Sequence, residues 1–245
     1  MRNREHWRPT KYSVSPGGTV SAPAARGEVA AGSVLIATLV ARWYERQLPR
    51  YARGTLLDLG CGKVPFYQMY EPFVEDVICT DWPGTLHGTA FIDFANDLNL
   101  GIPLSDETVD TVILSDVLEH LYRPARALDE ICRVLRPGGS ALINAPFLYM
   151  IHEAPHDFYR YTPFALTRMA SDARLDVVCT ETIGCGAFVL ADVVGKMLCR
   201  LPMLGCPAAS SLQRLVLAIL PDTPGTTTYP LFVATVLRKP QREAL

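Results

Sequence analysis

The chain has 245 residues, 49% of them hydrophobic and 20% charged, enough for one sizeable core and too apolar for a disordered chain. Its formal net charge of −2 gives no reason to expect nucleic acid or another polyanion as partner. Seven cysteines without a C-x-x-C pair argue against a disulfide scaffold and for a reducing compartment, the cytoplasm. The basic start lacks the apolar segment of a secretory signal. The longest uncharged run, residues 137–152 with Pro146 inside it, falls short of the roughly 18 apolar residues of a membrane span. The expectation is a soluble protein, or one peripheral to the inner face of a membrane. Charge is unevenly spread: residues 1–53 carry nine basic against three acidic side chains, 54–159 five against sixteen, and 160–245 nine against six. The acidic middle suits a cationic ligand, and equally an ordinary solvated surface.

In chain order, residues 1–26 hold Pro9, Pro16, Gly17, Gly18 and Pro23 and read as an extended or disordered arm. Residues 28–47 place Val34, Leu35, Leu39 and Trp43 at helical spacing, and Pro49 is expected to stop that helix. Alternation follows. Strands are expected at 55–59 and 75–80, a third ending at Phe91 and Ile92, and further ones at 111–115 and 141–144. A short helix at 64–71 and a longer one at 124–135 lie between them. Continuous apolar strands separated by helices indicate a parallel sheet covered on both faces. Thr162 and Pro163 start a helix to Ser171. A strand at 176–181, apolar helical sequence from Gly184 to Pro221 and a last strand at 229–237 complete the chain.

The strongest chemical signal is residues 58–62, DLGCG. A buried strand runs into two glycines and then a helix start, which lets backbone approach a ligand closely and presents free N–H groups. Asp81 follows 23 residues later, at a second strand end, where nucleotide-binding α/β units place an acid for ribose hydroxyls. The phosphate-binding fingerprint needs a third glycine where Pro65 stands, so a pyrophosphate cofactor fits badly.

These motifs, with Asp93 and Phe94 ahead of residues 100–104 (LGIPL), residues 110–120 (DTVILSDVLEH) and residues 135–139 (LRPGG), resemble the class I S-adenosylmethionine-dependent methyltransferases, in the small-molecule branch that includes the quinone methyltransferases. The resemblance implies an α/β, Rossmann-like, doubly wound sheet of seven strands with the last antiparallel. It implies S-adenosyl-L-methionine as cofactor, with Gly60 and Gly62 against its methionine part and Asp58 near its amino group. Asp81 would take the ribose hydroxyls, Trp82 the adenine face, Asp93 the adenine amino group beside Phe94, and Ser115 would offer its backbone. Carboxylates suit a sulfonium and an ammonium, which gives part of the acidic middle a purpose.

Residues 152–161 (HEAPHDFYRY) follow the fifth strand, where crevices open in such sheets. His156, His152 and Asp157 are candidate bases, and His120 is a separate one. Tyr159, Arg160 and Tyr161 are candidates to frame an acceptor. Residues 152–156 also satisfy H-E-x-x-H, but Pro155 is incompatible with the uninterrupted helix that zinc pattern needs. No metal is expected.

The chain thus divides into an arm (1–26), a methyltransferase core (27–183), a helical insertion (184–224) and the last core strand with a tail (225–245). Within the insertion Asp192, Lys196 and Arg200 share one helical face, and Leu212, Leu215, Val216, Ile219 and Leu220 form an apolar stripe. It is read as a lid or dimer interface, with contact to a lipid-linked acceptor or membrane surface as the sharper possibility. The expected function is methyl transfer from S-adenosylmethionine to a small-molecule, sugar or lipid-linked acceptor at oxygen, by a monomer or homodimer. Nitrogen or carbon methylation, and a non-catalytic cofactor-binding module, are the alternatives.

Overall fold

The computed structural model describes residues 1–14, 20–22, 28–184, 186–221 and 228–242. Parts of the expected arm (15–19, 23–26), insertion (185, 222–224) and tail (243–245) lie outside them. Seven strands form the main sheet: β3 (Thr55–Leu59), β4 (Asp76–Asp81), β5 (Phe94–Ala95), β6 (Val109–Ser115), β7 (Leu135–Pro146), β8 (Asp176–Ile183) and β9 (Phe232–Arg238), in the order β5-β4-β3-β6-β7-β9-β8. All neighbours are parallel except around β9, which runs antiparallel to both β7 and β8. A separate pair, β1 (Ser13–Val14) and β2 (Val20–Ser21), belongs to the arm.

Strand alternation divides the core into two layers. Leu56, Ile113 and Leu142 face one cluster with Leu35, Leu39 and Trp43 of α1 (Val34–Tyr51). Leu57, Leu59, Val112 and Leu114 face the other, with α3 (Pro124–Val134) and α4 (Pro163–Asp172). Helices on both faces make the central strands largely apolar, Asp58 being the buried exception in β3, and each fully buried apolar side chain of this size contributes roughly 1.5–3 kcal/mol by leaving water. Thr162 caps α4 as expected, its hydroxyl accepting from Ala165 N at 3.1 Å.

Three expectations need correction. Helix α1 begins at Val34 after a single turn and continues through Pro49; a proline in the last turn removes one donor while Ala52 N still closes onto Leu48 O at 2.9 Å. The third strand is β5, later than Phe91 and Ile92, because Asp93 spends its side chain on β4: its carboxylate accepts from Cys79 N at 2.8 Å before any ladder forms. The described arm is packed rather than loose. The Met1 amine bonds Val77 O and pairs with Asp93 at 3.0 Å, and buried Tyr12 packs on Phe66.

The insertion forms α5 (Ala187–Leu198) and α6 (Gly205–Ile219), packed together over the start of α1. Buried Gln213 donates to Gly32 O at 2.8 Å and accepts from Leu35 N at 3.1 Å. The expected stripe is turned inward only in part: Val216 and Leu220 pack on the core, and Ala209 and Gln213 are buried, whereas Leu215 and Ile219 are exposed. Among the described residues no helix is long and apolar enough to cross a membrane. The short helix α2 (Tyr67–Tyr70) closes the glycine-rich turn.

Candidate functional site

β3 and β6 are neighbours, but β3 leads to β4 on one side and β6 to β7 on the other, so the loops beyond their C-terminal ends part and open a crevice. Two cavities fill it. One, of about 350 Å³, is walled by Asp58, Gly60, Gly62, Ser115, Glu119 and His152, with the start of α1 as roof. The other, of about 510 Å³, is walled by Asp81, Trp82, Asp97, Leu98, Tyr122 and Phe158. They share Gly60, His87, Asp116, His120 and Glu153, so together they form one cleft with a neck.

The glycine turn is fixed sterically and by hydrogen bonds. Gly60 has φ +71° and a Cβ there would lie 2.4 Å from Val117 Cγ2, so no side chain is tolerated. Its N–H and that of Cys61 both donate to Thr80 O, at 2.8 and 3.0 Å. Asp81 receives Gly62 N at 3.0 Å, Thr85 Oγ1 at 2.9 Å and Trp82 N at 2.7 Å. Its carboxylate is thereby held at the cleft wall with acceptor capacity to spare. Asp58 is buried under the turn and accepts from Tyr70 Oη at 3.2 Å. Desolvation outweighs that bond and pushes its carboxyl up to about 7.

On the β6 side, Ser115 lies in the first cavity and Asp116 (φ +53°) at the neck, where it accepts from Asn144 Nδ2 at 2.7 Å and Ser115 Oγ at 3.2 Å. Trp82 is 46% exposed and lines the second cavity. Asp93 and Phe94 line neither cavity. With Asp93 committed to Cys79 and the Met1 amine, the wall at that place is Asn96, Asp97 and Leu98.

The loop after β7 supplies the remaining wall. Arg160 binds both oxygens of Asp157, at 2.5 and 2.8 Å, and the carbonyl of Met150 at 2.9 Å. Phe158 N donates to Glu119 O at 2.9 Å, tying this loop to the one after β6. The expected roles divide accordingly. Asp157 is a poor base, since the Arg160 guanidinium holds its carboxyl far below the usual range. Arg160 spends its fork on the loop itself. Tyr161 is buried and donates to Leu118 O at 3.0 Å, so it belongs to the core rather than an acceptor wall. Tyr159 is 42% exposed and lines neither cavity.

His156 stands in the second cavity, its ring 5.1 Å from that of Trp82. His152 and His120 face each other, ring centroids 4.7 Å apart, over Glu119. Burial and the facing His120 hold the His152 imidazole below its ordinary value, and burial drives the Glu119 carboxyl well above its own. Asp116, Glu119, Glu153 and Asp97 were assigned no ligand role from sequence. Asp116 and Glu119 sit inside the 110–120 motif, where a carboxylate after a strand is indistinguishable from a cap.

A family model described as a methyltransferase domain matches residues 57–143. A Mycolicibacterium smegmatis protein named a probable S-adenosylmethionine-dependent methyltransferase is 31% identical over 157 residues, covering 62% of this chain and 58% of that protein. Similar Mycobacterium tuberculosis proteins are matched over 39% of their length, so the chain spans well under two thirds of these curated relatives. The family model and these relatives point to a methyltransferase domain of the S-adenosylmethionine-dependent kind over residues 57–143. Among solved structures, a [4+2]-cyclase superposes with TM-score 0.59 at 15% identity, covering 95% of this chain and 88% of that one. A Haemonchus contortus phosphoethanolamine N-methyltransferase with bound S-adenosylhomocysteine gives 0.53 at 17% identity, covering 80% and 51%. These likenesses are of fold alone.

The residues of this cleft are chemically suited to S-adenosylmethionine, the cofactor of the relatives it matches. The turn at Gly60 admits a ligand against bare backbone. Buried Asp58 and anchored Asp81 would offer carboxylate oxygens to its ammonium and ribose hydroxyls, and Trp82 would be the aromatic partner for its adenine.

Proposed function

We propose that the protein transfers the methyl group of S-adenosylmethionine to an oxygen of a small-molecule, glycan or lipid-linked acceptor. The observation that carries this reading is the cleft with a neck: a nucleoside-sized half bearing Asp81 and Trp82 joins, at Gly60 and Asp116, a half walled by Glu119, His120 and His152. In this reading Asp58 meets the amino group, Gly60, Gly62 and Ser115 border the methionine part, Asp81 takes the ribose hydroxyls, and Asp97 replaces Asp93 in facing the adenine.

The cofactor supplies an electrophilic methyl on a sulfonium that leaves as a neutral thioether. The protein's task is alignment and exclusion of water. A hydroxyl acceptor also has to lose a proton. The groups placed for that are the Glu119, His120 and His152 cluster, with His156 on the adenine side as a wall rather than a base. Helices α5 and α6 serve as lid, anchored where Lys196 pairs with Asp192 and stands 3.8 Å from the Tyr149 ring at the cavity wall. Leu190, Met197, Leu201, Met203 and Leu204 are exposed on this lid, which favours a lipid-linked acceptor presented at a membrane surface by a cytoplasmic or peripheral enzyme.

The test is calorimetry with S-adenosylmethionine, followed by turnover against sugars, phenols and lipid-linked glycans with S-adenosylhomocysteine as the measured product. Micromolar binding and an O-methylated product are expected. Absence of binding removes the whole reading, binding without product from any acceptor reduces the chain to a binding module, and an N- or C-methylated product overturns the acceptor atom.

A further inference from the structure

His120 Nδ1 lies 2.6 Å from the carbonyl oxygen of His156. A carbonyl only accepts, so Nδ1 carries the hydrogen and Nε2 keeps its lone pair. His152 Nδ1 lies 3.2 Å from Met150 O and 3.3 Å from Asp157 Oδ2, with the same consequence. Both Nε2 atoms stand 3.8 Å from Glu119 Oε1. That is too long for a hydrogen bond. The Glu119 side chain is wholly buried, lines the cavity, and neither of its oxygens has a hydrogen-bond partner. Oε1 and the two imidazole nitrogens lie within 4.8 Å of one another, and a carboxylate so enclosed calls for a cation.

We propose that Glu119 Oε1, His120 Nε2 and His152 Nε2 form a binding site for a divalent transition-metal ion of the zinc, manganese or iron class. Two imidazoles and one carboxylate are the donor set of such ions and not of calcium or magnesium, which prefer oxygen throughout. Donors at about 2.1 Å around a tetrahedral ion stand about 3.4 Å apart, so the group needs to contract by about 0.4 Å at the Glu119 contacts and by as much as about 1.4 Å between the two imidazole nitrogens. The outer N–H of each imidazole is already held by a backbone carbonyl, the arrangement that aims histidines at a metal. Glu153 Oε2, 4.0 Å from His120 Nε2, is within reach as a further ligand, and the remaining position opens into the cleft. The H-E-x-x-H run contributes His152, with Glu153 in reach, but not its second histidine, since His156 is turned to Trp82.

What fills the open position rests on the proposed methyl transfer: the acceptor hydroxyl, acidified by coordination. Its O–H bond breaks, the proton passes to Glu153 or water, the oxygen pair forms the O–CH₃ bond, and the S–CH₃ pair remains on sulfur.

The metal is tested on the full chain without acceptor, by equilibrium dialysis with Zn²⁺ and by the visible d–d spectrum of added Co²⁺. One equivalent is expected, with coordinated-histidine bands. Affinity should fall about 100-fold or more in Glu119→Gln and in His152→Ala, and stay unchanged in His156→Ala. Retained S-adenosylmethionine binding by each variant shows that it is folded. Stoichiometry far below one, or Zn²⁺ binding indifferent to Glu119→Gln and His152→Ala, overturns the site. Methyl transfer that persists after chelation overturns it too and leaves the methyltransferase reading standing, whereas loss of cofactor binding by the unaltered protein strikes only that reading.

Discussion

Asp58 and Asp81 are held by neighbours within one strand–turn–strand unit, through Tyr70, Gly62, Trp82 and Thr85. The other half of the cleft is held differently. Glu119 and His120 come from the loop after β6, His152 from the loop after β7, and the two loops meet through backbone contacts such as Phe158 N to Glu119 O. Local construction fixes the cofactor half from short sequence. Loop-to-loop construction lets the acceptor half vary on the same scaffold, and that freedom is why a fold shared with a cyclase does not name a reaction.

The sharpest way to break the cofactor half is Asp81→Ala. Two hydrogen bonds to a carboxylate acceptor, at about 1.5–3 kcal/mol each, correspond to a loss of about 10²–10⁴ in affinity for S-adenosylmethionine. Calorimetry reads this directly, and a loss below about tenfold would remove the ribose assignment. The apoprotein should also melt lower, because Gly62 N and Thr85 Oγ1 lose their acceptor.

Asp58→Asn sharpens the comparison through pH. The folded carboxyl, at about 7 against an ordinary 3.8, keeps its proton in a window where the unfolded chain has released it. Its contribution to stability is therefore full below about pH 4, declines between 4 and 7, and above 7 leaves a buried charge. Relative to the wild type, Asp58→Asn should gain stability as pH rises through that window, by an amount on the order of a few kcal/mol, and be the more stable apoprotein at pH 8. Cofactor affinity should move oppositely: the wild type should bind more tightly above pH 7, where Asp58 is ionised for the ammonium, and the variant should bind about tenfold more weakly with that pH dependence gone. Thermal melts and calorimetry at pH 6 and 8 decide it. A flat wild-type profile would mean that Asp58 does not meet the ammonium.

Most of the strands and the turn at Gly60 were legible because each depends on residues adjacent in the chain: apolar runs, two glycines, an acid one strand later. Asp93 was misread for a reason visible only in three dimensions, the Met1 amine and Cys79 N–H claiming its carboxylate. The α6 stripe was legible only in part: Val216 and Leu220 pack on the core, but periodicity did not show that Gln213 would hold the interior by satisfying Gly32 O ahead of α1 and Leu35 N within it. The Glu119, His120 and His152 group was hidden more deeply. His152 was noticed as part of H-E-x-x-H, and its actual companions are far away in sequence.

Tyr161 lies on the boundary of the two halves, and the smallest expected effect tests which side it serves. Its hydroxyl donates to Leu118 O at 3.0 Å, both groups buried, directly before Glu119. Tyr161→Phe keeps the ring in the core and leaves that carbonyl without its donor, a cost of about 1–2 kcal/mol and a melting shift of about 2–6 °C for a chain of this size. If the tyrosine is structural, cofactor affinity, turnover and the acceptor KM all stay where they are, because the backbone bonds from Phe158 and Tyr159 to Glu119 O still hold the two loops together. A raised acceptor KM with an unshifted melting temperature would place the hydroxyl against the acceptor instead, and would extend the acceptor half of the cleft behind the wall that Glu119 now marks.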